Sequence, residues 1–230
     1  ANEGITAVGR PAATYDFRTI RWYKEKALKV YRQRLVSLKN ELLSAGVLSQ
    51  VNIFYLTDEP ALHRNYIPSQ AFLNGIEKTF KGVFPDKKST MVFAEDRRST
   101  DPFRGAHLNP PPSLDIVAVD PYFWDNTSTG CSEAEIRNSL YATNVNSTID
   151  WALQFNRPII VAGDAMLRSG VDPLQCYITG IYNILRNDTR ISGLIWFIYD
   201  RAFREGSLTG AANSSTLIRT IKGLISSSPR

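Results

Sequence analysis

Val51-Asn52-Ile53-Phe54-Tyr55-Leu56-Thr57-Asp58-Glu59-Pro60 is the stretch whose reading decides the fold. Residues 53 to 56 form an apolar run of strand length, and two acids and a proline end it. A buried parallel strand reads as continuously apolar, and ligand chemistry gathers at its carboxyl end. Later runs end in the same way. Met91 to Ala94 meets Glu95-Asp96, Ile116 to Val119 meets Asp120-Pro121-Tyr122, and Leu194 to Tyr199 meets Asp200. Ile159 to Ala162 reaches Asp164 after one glycine. Five strands would therefore each bring a carboxylate to one rim.

Between these runs the sequence turns helical. Leu28, Tyr31, Leu35, Leu38 and Leu42 recur at steps of three and four, which places a helix over 19–44, and Ala45-Gly46 stops it. Phe72, Leu73, Ile76 and Phe80 predict a second helix over 70–81. Residues 96–114 are rich in Pro, Arg and Asp and show no helical period, so they read as a functional rim loop with at most one short helical turn. Ser132 and Glu135 form a capping box for a helix running to about 155. Asp172-Pro173 opens another helix to about 186, and 214–226 reads as the last. Residues 1–18 read as a tail or loop, and 19–230 as a single domain. Strand and helix in alternation imply a parallel sheet with right-handed crossovers.

The chain has 230 residues, 43% of them hydrophobic and 21% charged, enough for one sizeable core. Its net charge of +5 is concentrated in Arg18, Arg21, Lys24, Lys26, Lys29, Arg32, Arg34 and Lys39. A solvated helix face explains these better than a polyanion patch, because no stacking platform or nucleic-acid motif accompanies them. No nucleic-acid partner is expected, and no run is apolar enough to span a membrane. Asn126, Asn146, Asn187 and Asn213 each head a glycosylation sequon. With Cys131 and Cys176 available to pair, they point to a secreted or extracellular glycoprotein. No cofactor motif is present, and no His/Cys/Asp cluster has metal-ligand spacing.

The strand ends resemble the second part of the (β/α)8-barrel glycoside hydrolases, in particular the large retaining clan. There, strand four ends in Asn-Glu-Pro, and its Glu is the acid/base. Thr57-Asp58-Glu59-Pro60 is similar, with Asp58 in place of Asn. Asp120-Pro121-Tyr122-Phe123-Trp124 resembles the end of strand six, and Gly193 to Asp200, with Trp196, resembles strand eight. Where strand seven usually carries a nucleophilic Glu, this chain has Asp164. The resemblance implies an α/β fold of TIM-barrel type, with strands four to eight present here. The first three units would then lie in another segment or another chain, unless the sheet is an open one.

Hydrolysis of a glycosidic bond needs one carboxyl that donates a proton and a second that attacks the sugar or activates water. Glu59 is the candidate acid, because Asp58 beside it and partial burial would both raise its pKa. Its alternative role is to cap the helix or loop beyond Pro60. Asp164 is the candidate second carboxylate, with a turn-forming Gly-Asp as its alternative. Glu95 competes for that role, since its strand neighbours that of Glu59. Asp58, Asp120, Tyr122, Trp124, Trp196 and Asp200 are candidate substrate contacts, the aromatics because a pyranose face packs on a ring. Core packing is the competing explanation for Trp196. His63 and His107 fall on rim loops. The partner expected is a polysaccharide or glycan. A non-catalytic glycan-binding or structural barrel is the rival reading. Because Asp is one methylene shorter than Glu, a Glu59–Asp164 pair should sit at the wider spacing, about 6.5–9.5 Å, that belongs to inversion. Cys131 and Cys176 follow neighbouring strands at one rim and are expected to form a disulfide.

Overall fold

A computed structural model describes residues 17–58, 60, 69–94, 108–120, 134, 140–168, 179, 182–198, 204–205 and 208–210. The chain divides into two compact units, Ala1–Ala118 and Val119–Arg230.

The first unit opens with helix α1, Phe17–Ser44. It stops where the sequence places glycine. Gly46 adopts φ 69°, and the amides of Gly46 and Val47 return to the carbonyls of Leu43 and Leu42, both at 3.0 Å. This left-handed cap satisfies carbonyls that the helix end would otherwise leave open. A short 3-10 turn, Leu48–Gln50, leads into strand β1, Ile53–Asp58. Helix α2, Gln70–Val83, starts at Ser69, whose side chain accepts from the Phe72 amide at 3.3 Å. Its buried stripe is Phe72, Leu73, Ile76, Phe80 and Val83. Phe80 is fully buried and forms a three-ring cluster, 5.3 Å from Phe54 on β1 and 5.3 Å from Phe84, which are 4.6 Å from each other. Close approach of α1 to α2 is fixed at Gly75, where an added Cβ would meet Leu28 Cδ1 at 2.8 Å.

Strand β2, Lys88–Phe93, lies parallel to β1, with Phe54 opposite Ser89 and Tyr55 opposite Thr90. Strand β3, Ile116–Val119, follows β2 in the sheet, and all four of its residues are buried. The part of the expected rim loop that is described, 108–114, is packed into this unit, and Asp115 follows it. Leu108 and Leu114 are core residues. Gln70 exchanges two 2.8 Å hydrogen bonds with the Asn109 backbone. Asp115 accepts from Lys81 Nζ and the Ser89 amide, both at 2.7 Å. Ser113 donates to Oε2 of Glu77, a fully buried carboxylate on α2. Burial first, and then the Glu77 charge, push the Tyr31 phenol far above its ordinary value.

The second unit contains helix α3, Leu140–Leu153, which buries Val145, Ile149 and Ala152. Asn156 reverses the chain at φ 52°, a conformation its short side chain tolerates, and strand β4, Ile159–Arg168, begins three residues later. Residues 182–185 are helical, with Tyr182 and Leu185 buried. Arg190 then holds Asp188 at 2.6 Å, Asp150 on α3 at 3.1 Å and Asn146 on α3 at 2.6 Å. Strand β5, Gly193–Ile198, runs parallel to β4.

The sequence places the end of the fourth strand at residue 163. The structure corrects this, because β4 continues to Arg168. Its last residues, Met166 to Arg168, pair antiparallel with strand β7, Leu208–Gly210, which also pairs with β6, Arg204–Glu205. Pairing with β5 carries β4 past Gly163-Asp164 to Ala165, and β7 extends it from Met166 to Arg168. The two-residue Gly206-Ser207 step between Glu205 and Leu208 is the hairpin signal that the reading of strand ends passed over. The fold is mixed α/β with parallel pairs β1–β2 and β4–β5, compatible with part of a TIM-type barrel. Among the described residues, no helix is long and apolar enough to cross a membrane.

Candidate active site

Strand β1 presents its terminal carboxylate by an irregularity in its pairing. The ladder runs evenly from Ile53 opposite Lys88 to Tyr55 opposite Thr90, and then Asp58 stands opposite Val92. Three residues of β1 thus span two of β2, which is a β-bulge. Side chains alternate along a regular strand, so Asp58 would otherwise share the face of Phe54 and Leu56. Phe54 packs at a tilt against Phe80 and Phe84, with ring centroids 5.3 and 4.6 Å away, so that face belongs to helix α2. The bulge turns Asp58 to the opposite face, beside Tyr55. The Tyr55 hydroxyl donates to Asp58 Oδ1.

This face is half open. Tyr55 is 40% exposed and Ile53 is 42% exposed, while Leu56 and Thr57, the residues inside the irregular step, are buried. Next to Tyr55 in register, the Thr90 hydroxyl is buried and has no partner among the described residues. Local backbone geometry, anchored by two buried side chains, therefore brings a carboxylate, a phenol and a hydroxyl onto one face where the strand ends. The phenol donates to the carboxylate, which keeps further acceptor sites for the hydroxyl of a ligand.

In the second unit, Asp120 directly follows β3, buried at 3% exposure and not without a partner. Asp164 lies inside β4 opposite Phe197, and Trp196 lies on β5 opposite Gly163. Asp164 is therefore in neither a strand-ending turn nor the last position of its strand. Glu59, Glu95, Tyr122, Trp124 and Asp200 lie outside the described residues, as do His63, His107, Cys131, Cys176, Asn126 and Asn213. Of the glycosylation candidates, Asn146 and Asn187 are both exposed. Tyr55 and Thr90 are the polar residues that the sequence reading passed over. Their strand parity is visible only once β1 is paired with β2.

No family model matches the sequence, and no curated protein matches it. Among solved structures, the β-D-glucuronidase of Dictyoglomus thermophilum, a glycoside hydrolase, is similar in fold with a TM-score of 0.56. The two chains are 13% identical, and the match covers 89% of this chain and 36% of that one. At such identity the likeness is one of fold, and the chain spans about a third of the length of the neighbour.

Proposed function

We propose that this chain is the strand-four-to-strand-eight part of a (β/α)8-type glycoside hydrolase acting on a polysaccharide. The observation that carries this reading is the bulge at the end of β1, which turns Asp58 away from the helix layer immediately before Glu59. Glu59 is assigned as the proton donor to the leaving oxygen, and Asp58 as an acceptor for a sugar hydroxyl. Asp164 supplies the second carboxylate. As it stands where a retaining enzyme usually has Glu, we assign it to activation of water, which gives inversion. Asp120, Tyr122, Trp124, Trp196 and Asp200 are assigned to substrate contacts. We further propose that the chain is a secreted glycoprotein with a Cys131–Cys176 bridge. The fold of a glycosidase neighbour supports the class of reaction and leaves the sugar open.

The test is release of reducing sugar from a polysaccharide panel by the full chain and by its Glu59→Gln and Asp164→Asn variants. Turnover lost in both variants, with folding intact, supports the assignment. Full activity in Glu59→Gln ends it. A second reading, a glycan-binding module without turnover, is favoured by one observation: Asp164 lies four residues before the end of its strand. Binding of the same polysaccharides with no sugar released would select it.

A further inference from the structure

We propose that Tyr55 is a positioning residue that fixes Asp58 as a one-sided acceptor for a hydroxyl donor of the ligand, an assignment that rests on the carbohydrate reading of this site. The two residues share a face because of the bulge, and the Tyr55 hydroxyl donates to Oδ1. An ionised carboxylate is acceptor-only, with lone-pair sites on both oxygens, so a bond at Oδ1 orients the group while Oδ2 can accept from the ligand. Leu56 and Thr57, between the partners in sequence, are 6% and 7% exposed, so the backbone that sets this geometry is anchored in the core. The Tyr55 side chain, in contrast, is 40% exposed. A side chain exposed to that degree and tied to a carboxylate three residues later orders that carboxylate before the ligand arrives. The entropy of fixing the acceptor is then spent in folding and not in binding.

Tyr55→Phe removes the hydroxyl and keeps the ring. Two measurements read its effect in the full chain. The Hα–Hβ couplings of Asp58, measured by NMR without ligand, are expected to report one side-chain rotamer in the wild type and averaging in Tyr55→Phe. Calorimetric titration of oligosaccharides into the Glu59→Gln chain is expected to show roughly tenfold weaker binding when Tyr55→Phe is added, as for loss of a hydrogen bond to a charged group. In a chain already carrying Asp58→Ala, Tyr55→Phe should cause no further loss, because the residue acts through Asp58. Unchanged Asp58 couplings in Tyr55→Phe overturn the proposal, as does an equal loss in the Asp58→Ala background. If no oligosaccharide binds even with Tyr55 in place, the carbohydrate reading fails, and the couplings still decide the role of Tyr55.

Discussion

Tyr55 donates a hydrogen bond to Asp58, three residues further along the same strand, although residues so spaced on a regular strand point to opposite faces. The bulge that separates Thr90 from Val92 by two residues while separating Tyr55 from Asp58 by three makes this contact. Bulges are favoured beside active sites because they re-aim a side chain at the cost of one ladder position. Here the re-aimed group is the carboxylate adjacent to Glu59.

Asp58→Asn and Asp58→Ala should separate hydrogen bonding from charge at this position. Asn keeps an acceptor for the Tyr55 hydroxyl, whereas Ala keeps none. Because Asp58 is only half-buried and its partner Tyr55 is exposed, both variants should fold with a stability change under about 1 kcal/mol. Polysaccharide binding should fall further in Ala than in Asn. Equal binding by the wild type and Asp58→Ala would remove Asp58 from the site.

Phe80→Ala should be among the costliest single changes in the first unit. The side chain is fully buried, and its ring touches those of Phe54 and Phe84, which join α2 to β1. A loss of about 3–5 kcal/mol is expected in urea unfolding monitored by circular dichroism. A loss near zero would contradict the aromatic cluster.

Asp115 gives the first unit an acid-sensitive tie. Burial pushes its carboxyl up, but hydrogen bonds from Lys81 and from the Ser89 amide and hydroxyl, with the Lys81 charge, outweigh this and hold it below its ordinary value. A carboxyl depressed by folding binds fewer protons when folded, so its stabilisation is complete above the ordinary carboxylate pKa of about 4. It is lost as pH falls through the lower folded value. Asp115→Ala should therefore cost about 1–3 kcal/mol at neutral pH, since the Ser89 amide loses its partner. Unfolding curves of variant and wild type should converge in acid. A gap that stays constant with pH would contradict the charge-assisted bonds.

Asn146 and Asn187 should each carry a glycan when the chain passes through a eukaryotic secretory pathway. Both are exposed. Arg190 uses the Asn146 Oδ1 atom, and Asn187 Nδ2 donates one hydrogen to the Asn183 carbonyl at 3.0 Å. Glycosylation takes one amide hydrogen, so both contacts survive it. Asn146→Gln and Asn187→Gln should each remove one glycan mass before enzymatic deglycosylation. Unchanged masses would refute surface modification at these sites.

Much of the fold was legible because apolar periodicity reports burial, and burial shapes both helices and strands. The spacing of Leu28, Leu35 and Leu42 marked α1, the stripe from Phe72 to Phe80 marked α2, and Ala45-Gly46 marked the end of α1. Apolar runs located β1, β3 and β5 to within one or two residues. The limits of the reading lie where pairing, not composition, sets the geometry. β4 continues through Asp164 because β5 pairs with it there, Asp164 opposite Phe197, and β7 takes over at Met166 to Arg168, forty or more residues further along the chain.

The sequence by itself determined which segments would be buried strand or helix, and it put Asp58 and Glu59 where an apolar strand stops. Tertiary structure alone decided which way Asp58 faces and which hydroxyl it meets. Side-chain parity on a strand is set by hydrogen-bond register with a neighbour, and the neighbour of β1 is β2, about thirty-five residues away in the chain. One residue of slippage inverts every side chain beyond it. No local pattern in Tyr55-Leu56-Thr57-Asp58 encodes that slip; it exists only once the two strands are paired.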